Sequence, residues 1–237
     1  EGYDLSRLAY GTSDAKTSTI SFWVKSSVTG SFPFGLQNHD GTRVFPVTYT
    51  VNSANTWEYK TITIAGDTGG TWTTNNNTTG MRFTFLWISG SNFTGGVDGG
   101  GWAATTGFAN LTSSYTANLD VVNATFQITG VQLEVGDTAT PFEHRSYGDE
   151  LAKCQRYYYQ STSAHIFYAC QYVASHKFVQ WPHPVQMRVA PSSVVTYNSG
   201  SFTTYLVDNQ HFKAYISSSY SDTSSYYTTS YKLDAEL

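Results

Sequence analysis

Charged residues, cysteines and long apolar runs are all scarce in this 237-residue chain. Charged side chains make up 13% of it and the formal net charge is −4, so the composition offers no basic surface for a phosphate backbone. No apolar run approaches the roughly 18 to 20 residues that a membrane-spanning helix needs. Cys154 and Cys170 are too few for a disulfide framework, and we expect two buried or half-buried thiols. Nucleic acid is therefore not expected as a partner, and neither is membrane insertion.

The residues that are abundant, chiefly Tyr, Thr, Ser, Gly, Asn and Trp, favour β-strands with hydroxyl-rich outer faces. Apolar and hydroxyl residues alternate with period two from Ser18 to Val28, with Ile20, Phe22 and Val24 at the apolar positions, which is typical of a strand with one face on a core. A second alternation runs through Trp57, Tyr59, Ile62 and Ile64, with a slip near Thr61. In the first part of the chain, strands are predicted at 18–28, 43–51, 57–65, 81–88 and 124–134.

The pattern predicts an all-β protein of two antiparallel sandwiches. Residues 1–146 are expected to form a jelly-roll-type sandwich. Asp149 is predicted to cap a short linker helix at 147–156. Residues 157–237 are expected to form a second, smaller sandwich, with strands at 155–160, 165–173, 178–181, 185–189, 193–197, 202–207, 212–216 and 226–233.

Three segments are distinctive: EGYDLSRLAYGTSDAKTSTISFWVKSS at 1–27, NTWEYKTITIAGDTGGTW at 55–72 and ITGVQLEVGDTATPFEHRSYGDELAKCQRYYY at 128–159. They resemble segments of the tail fibres and other virion adhesins of tailed bacteriophages. The shorter HPVQMRVAPSSVV at 183–195 is similar to a second-domain motif of the same proteins. The resemblance implies a carbohydrate-binding-module-like sandwich at 1–146 with one or two further strands before Glu1, a C-terminal fibre-tip domain and a homotrimer. It also implies a place in the virion, on the tail or another surface appendage, after assembly in the host cytoplasm.

Catalytic patterns are missing from the sequence, because G-x-S-x-G, H-E-x-x-H, P-loop and G-x-G-x-x-G motifs are all absent. We therefore expect a protein that is not an enzyme. We also expect no cofactor, apart from a structural calcium ion of the kind that carbohydrate-binding sandwiches often carry. Its oxygen ligands are predicted to be Asp4, Asp120 and Glu134.

Aromatic residues give the main prediction of a binding site, because sugar rings present apolar C–H faces that lie on Trp and Tyr. Trp72 and Trp102 lie in glycine-rich loops and are predicted to be exposed, whereas Trp23, Trp57 and Trp87 lie in strand-like segments and are expected in the core. The predicted glycan-binding residues are Trp72, Trp102, Asn75, Asn76, Asn92, Asp98, Tyr220 and Tyr226. Leu151, Cys154 and Tyr157 are predicted to pack between chains or between domains.

These features together predict a tail fibre or spike that binds a glycan or receptor on the bacterial surface and contacts other virion proteins. One alternative is a structural virion component, such as a head fibre, decoration or tail adaptor protein, without receptor binding. Another is a carbohydrate-binding module from a secreted bacterial enzyme. A glycan-degrading enzyme is the least favoured.

Overall fold

The computed structural model describes residues 1–89, 100–105, 116–117, 119–161, 165–168, 177–197, 203–216 and 225–235. The chain divides into two compact units, Glu1–Glu143 and His144–Leu237. Strands in antiparallel sheets dominate both units, and the described helices are short. The predicted all-β antiparallel class is confirmed, while the jelly-roll topology stays a prediction.

The first unit begins with the helix α1 (Gly2–Leu5) and a 3-10 turn (Ser6–Leu8), and continues in strands. These are β1 (Ser18–Ser26), β2 (Gly30–Asn38), β3 (Arg43–Val51), β4 (Glu58–Ile64), β5 (Met81–Phe85), β6 (Ile88–Ser89), β7 (Ala103–Ala104), β8 (Thr116–Ala117) and β9 (Phe126–Val135). One sheet has the order β4-β1-β9, a second has the order β5-β2-β3-β7, and β6 pairs with β8.

The core of the first unit lies between the two larger sheets. Phe22 of β1 contacts the rings of Tyr49 in β3 and Phe85 in β5, each with ring centroids 5.2 Å apart. Burying a large apolar side chain contributes roughly 1.5–3 kcal/mol, so this layer of rings is a main source of stability. The buried core comprises Leu5, Leu8, Tyr10, Ile20, Phe22, Val24, Phe32, Phe34, Leu36, Phe45, Tyr49, Val51, Ile62, Ile64 and Trp72.

Strand β2 was not predicted from the sequence, although it lies between β3 and β5 in its sheet. Pro33 and Gly35 are unfavourable inside a strand, the first because it has no N–H to donate. The strand forms because Phe32, Phe34 and Leu36 are fully buried in the core. The carbonyl of Pro33 still accepts a hydrogen bond from the Leu86 N–H at 3.0 Å.

The slip in the apolar pattern near Thr61 is not a break in the pairing of β4. Pairing between β1 and β4 runs without interruption from Ser18 opposite Ile64 to Val24 opposite Glu58. Ile62 and Ile64 therefore share the inner face with Ile20, whereas Tyr59 points to the outer face.

The second unit contains the helix α2 and two further antiparallel sheets. Its elements are α2 (Tyr147–Gln155), β10 (Tyr158–Ser161), β11 (His165–Tyr168), β12 (Lys177–Pro182), β13 (Ser192–Tyr197), β14 (Thr203–Val207), β15 (His211–Ile216) and β16 (Ser225–Asp234). Strand β16 pairs with β10, β11 and β13, and β15 lies between β12 and β14. The strand predicted at 185–189 is wrong, because Met187 and Arg188 are buried in an irregular segment.

The N-cap of α2 is Ser146 rather than the predicted Asp149. The Ser146 hydroxyl accepts a hydrogen bond from the Asp149 N–H at 3.2 Å and donates one to the Asp149 carboxylate at 2.7 Å. Asp149 therefore lies in the first turn of the helix, where a carboxylate also interacts well with the helix dipole. Neither described helix has the length or the apolar character of a membrane-spanning helix.

Candidate functional site

Trp72 is a core residue, so the prediction that its ring is exposed is wrong. Only 9% of its surface is accessible, and its ring lies edge-on to Tyr10 with centroids 4.9 Å apart. Its indole N–H donates to the Asp67 carboxylate at 3.0 Å. The glycine-rich flanks form a loop around the ring, and burying the indole with its N–H satisfied is favourable.

Trp102 lies beside Trp72 at the edge of the same core. It is half-buried, and its ring centroid is 5.3 Å from that of Trp72 and 5.4 Å from that of Phe45. Its indole N–H donates to the carbonyl of Ala65 at 2.6 Å. The rings of Trp72 and Phe45 cover part of the Trp102 indole, so Trp102 offers less surface to a ligand than predicted.

The loop that holds Trp72 is fixed by the buried carboxylate of Asp67. Arg43 donates to both carboxylate oxygens, at 2.9 Å from Nε and 2.5 Å from the terminal nitrogen. The Gly69 N–H donates to the same carboxylate at 3.2 Å. Contact with Asp67 raises the pKa of the Arg43 guanidinium, as expected for a close pair of opposite charges. This network positions a core tryptophan and leaves no carboxylate oxygen for a ligand.

Of the predicted polar residues, Asn75 and Asn76 lie exposed in the loop that follows Trp72. The Asn76 side chain accepts hydrogen bonds from the N–H and the hydroxyl of Thr78, at 2.9 and 2.7 Å, and so closes a local turn. Asn92, Asp98 and Tyr220 lie outside the described residues. For Tyr226 the structure describes the backbone, which pairs with Phe167 of β11 in β16.

The predicted calcium ligands do not form one site. Asp4 is exposed and contacts the amino terminus at 3.1 Å, while Asp120 is exposed before β9. Glu134 lies in β9, where it accepts hydrogen bonds from the N–H and the hydroxyl of Thr140, and these bonds lower its pKa. No group of three or more His, Cys, Asp or Glu side chains in the described part of the chain could hold a metal ion. A calcium site made by these three residues together is therefore a wrong prediction.

The residues predicted to pack between chains or domains differ in their surroundings. Leu151 is exposed on α2, and Cys154 is a free thiol that is exposed rather than buried or half-buried. Tyr157 packs inside the second unit, where the Arg188 guanidinium lies 5.8 Å from its ring centroid and its carbonyl accepts from the Ala235 N–H at 2.7 Å.

The clearest exposed aromatic group lies on the outer face of the β4-β1-β9 sheet. Trp23, Tyr59 and Phe142 are 42, 43 and 43% exposed, and we call these three residues the aromatic platform. The rings of Trp23 and Tyr59 lie side by side across the paired strands, with centroids 5.3 Å apart and planes at 48°. Trp57, two residues before Tyr59, is also exposed, as is Trp87. The prediction that Trp23, Trp57 and Trp87 are core residues is therefore wrong.

The position of Trp23 follows from the alternation in β1. Because Ile20, Phe22 and Val24 face the core, Trp23 must face outward. Pairing between β1 and β9 shifts at this point, and Gly130 of β9 has a φ of 60°. The Cδ1 atom of Trp23 lies 3.4 Å from the place that a Cβ atom at Gly130 would occupy.

Phe142 reaches the platform through a segment that is tied to the same face. The Thr19 hydroxyl donates to the carbonyl of Gly136 at 2.8 Å, and the Glu143 N–H donates to the Gln132 side chain at 2.8 Å. These bonds hold residues 136–143 across the strands. Phe142 consequently lies near Gly130 as Trp23 does, with its Cδ2 atom 3.8 Å from the same Cβ position.

The platform is bordered by small polar groups and one cation. The outward positions beside it are Thr61 in β4, Lys25 in β1, and Gln127 and Thr129 in β9. Lys25 lies opposite Gln127 and Trp23 lies opposite Thr129. Rings bordered by hydroxyl, amide and ammonium groups provide both stacking surface and hydrogen bonds.

The nearest strand carboxylate, Glu58, is already paired. It faces inward opposite Val24, and Lys60 donates to it at 2.6 Å. This bond, together with hydrogen bonds from Ser53 and Asn52, lowers the pKa of Glu58 to about 2. Near neutral pH the Glu58 carboxylate is therefore ionised, and its oxygens are already bonded to Lys60, Ser53 and Asn52.

Comparison with known proteins finds no matching family model, no matching curated protein and no matching solved structure.

Proposed function

We propose that this chain is a non-enzymatic virion protein, a tail fibre or spike, that binds glycans on the bacterial surface through the aromatic platform. The observation that supports binding is the platform itself: three rings that a folded chain would ordinarily bury lie on one sheet face. Large rings left exposed together, with a polar border, are typical of interaction sites. The virion role is supported by the sequence resemblance.

The chemistry of the platform suits a sugar. The C–H face of a pyranose ring can cover an indole or a phenol ring, while hydroxyl groups at its edge bond to polar side chains at the border. Thr61, Gln127 and Thr129 provide such groups next to Trp23 and Tyr59. A shallow site of this kind binds weakly as a single copy.

We further propose that three copies associate, as the resemblance implies, so that several weak sites act together. Tyr147, Leu151 and Cys154 of α2 are spaced i, i+4 and i+7 and are all exposed. A nine-residue helix that buries none of its residues gains little stability from its own chain. We call Tyr147, Leu151 and Cys154 the exposed stripe of α2. Packing of this stripe against other copies would bury apolar surface that the helix leaves exposed in a single chain.

Binding can be tested with whole bacterial cells and an array of bacterial polysaccharides. We expect the double variant Trp23→Ala, Tyr59→Ala to bind about 5- to 150-fold more weakly, because each lost ring contact is worth roughly 0.5–1.5 kcal/mol. Tyr3→Ala is the matched control, since Tyr3 is an exposed aromatic residue in α1. Circular dichroism and urea unfolding would establish that each variant is folded.

Three outcomes would contradict parts of the proposal. Undiminished binding by the double variant would exclude the platform as the site. A wild-type chain that binds no cell and no polysaccharide would favour the structural virion role instead. Release of reducing sugar from a bound polysaccharide would show that the protein is an enzyme.

A further inference from the structure

We infer that the aromatic platform selects acidic glycans, with Lys25 binding a sugar carboxylate while the sugar ring stacks on Trp23. This inference rests on the proposed glycan-binding function and adds the class of glycan. It depends on where the charged groups of the outer sheet face lie.

Lys25 is well placed for this role. It follows Trp23 by two residues in β1, on the same face, so their Cα atoms are about 7 Å apart. It is half-buried, and in the part of the chain that the structure describes its side chain has no hydrogen-bond or ion-pair partner. Its flexible four-carbon stem can bring the ammonium group to a substituent of a sugar that covers the neighbouring indole.

On the outer face of β4, β1 and β9, the positive and negative charges lie at opposite ends of the strands. The positions on this side of the sheet are Thr19, Ser21, Trp23 and Lys25 in β1, Tyr59, Thr61 and Thr63 in β4, and Gln127, Thr129, Gln132 and Glu134 in β9, and of these Thr19 and Ser21 are buried. Among them Lys25 is the one cation and Glu134 the one anion. Glu134 pairs with Thr19, six residues from Lys25 along β1, or about 20 Å. That separation exceeds the Debye length of about 8 Å at physiological salt, so Glu134 does not neutralise the aromatic end.

Two other carboxylates, Glu58 and Glu143, are next to platform residues in the sequence. Glu58 adjoins Tyr59 but faces inward and is bonded to Lys60. Glu143 follows Phe142 and is exposed, and its backbone N–H donates to the side chain of Gln132 in β9. The local charge next to Trp23 on β1 is therefore that of Lys25.

The negative net charge of the chain gives the position of Lys25 its importance. At a formal net charge of −4, the chain as a whole repels polyanions. Preference for an acidic glycan therefore requires a local positive group at the binding site. Neutral glycans, in contrast, would bind by stacking and hydrogen bonds alone.

The experiment compares each acidic polysaccharide with its own neutral form. Polygalacturonate, alginate and hyaluronate are immobilised before and after reduction of their carboxyl groups to alcohols, together with uronate-containing bacterial capsular polysaccharides treated in the same way. The full 237-residue chain is applied as wild type, Lys25→Gln and Lys153→Gln. Lys153 lies in the last turn of α2, so its variant has the same change in net charge outside the first unit.

We expect the wild type to prefer the acidic member of a pair that it binds. Lys25→Gln should bind that acidic polymer about 1.5- to 5-fold more weakly per site and bind the reduced polymer unchanged, because one partly exposed ion pair contributes an effect of this size. Lys153→Gln should behave like the wild type. Added salt should weaken binding to the acidic polymer alone.

The outcomes separate this inference from the function on which it rests. Equal binding to acidic and reduced polymers, lost in the Trp23→Ala, Tyr59→Ala variant, would overturn the role of Lys25 and leave the platform in place. An acidic preference that persists in Lys25→Gln would also overturn it. Failure to bind any polymer or any cell would count against both proposals.

Discussion

Asp67 is expected to be the most sensitive polar position of the first unit. Its carboxylate is 2% exposed and accepts hydrogen bonds from Arg43, Trp72 and Gly69. Asp67→Ala would leave the guanidinium without its counter-charge and a buried indole N–H without an acceptor. Either change is costly, because a polar group taken out of water must find a partner.

The expected loss follows from the burial of the pair. Removing one member of a buried ion pair costs about 3–5 kcal/mol, and the lower part of this range applies because 19% of the Arg43 side chain is accessible to water. Asp67→Asn keeps one acceptor oxygen in place and should cost about 1–3 kcal/mol. A loss of about 3 kcal/mol is a large part of the 5–15 kcal/mol that typically stabilises a domain.

Urea unfolding followed by tryptophan fluorescence measures this loss in the first unit. Five of the six tryptophans belong to residues 1–143, and Trp181 alone belongs to the second unit. Asp14→Ala is the control, because Asp14 is exposed and its loss should cost less than about 0.5 kcal/mol. In a double-mutant cycle, Arg43→Met should remove part of the penalty of Asp67→Ala, by about 0.5–3 kcal/mol. A cost below about 1 kcal/mol for Asp67→Ala, or strict additivity in the cycle, would refute the assigned role of this network.

The remaining predictions concern pH and association. Because the pKa of Glu58 falls from 4.5 to about 2 on folding, its bond with Lys60 stabilises the first unit above about pH 4.5, and this contribution is lost as the pH falls towards 2. The wild type should therefore have a higher urea midpoint than Glu58→Gln at pH 6, and the difference should disappear near pH 2; a difference that does not change with pH would contradict the assignment. For association, light scattering should give the mass of three chains for the wild type and a lower mass for Leu151→Asp, which places a charge in the exposed stripe of α2. A wild-type monomer at micromolar concentration would exclude the trimer.

Local sequence patterns predicted the strands whose inner faces are regular. Ile20, Phe22 and Val24 predicted β1, and 43–51 coincides with β3. Strand β2 could not be found in this way, because Pro33 and Gly35 act against a strand locally and the burial of Phe34 depends on partners in β3 and β5. At 185–189, in contrast, a strand was predicted that does not form. Met187 is apolar and buried, but its N–H bonds to the carbonyl of Asn209 in an irregular segment rather than in a strand.

The candidate site was harder to predict than the fold because it depends on contacts between distant segments. Glycine-rich flanks suggested an exposed Trp72, but the acceptor on Asp67 and the ring of Tyr10 draw it into the core. The alternation in β1 already placed Trp23 opposite to the buried face, a signal that the propensity of tryptophan for cores obscured. Its neighbour Tyr59 could be identified only from the register between β1 and β4, which joins residues 36 positions apart.

Gly130 has a consequence for how the platform could diversify. Any other residue at this point would need a left-handed backbone and would push a carbon atom towards the edges of Trp23 and Phe142. The positive φ at Gly130 therefore selects glycine, whereas an added Cβ atom would make only ordinary van der Waals contacts with the two rings, at 3.4 and 3.8 Å. If the platform binds glycans as proposed, related chains that bind different glycans should vary in the aromatic side chains and retain glycine at this position.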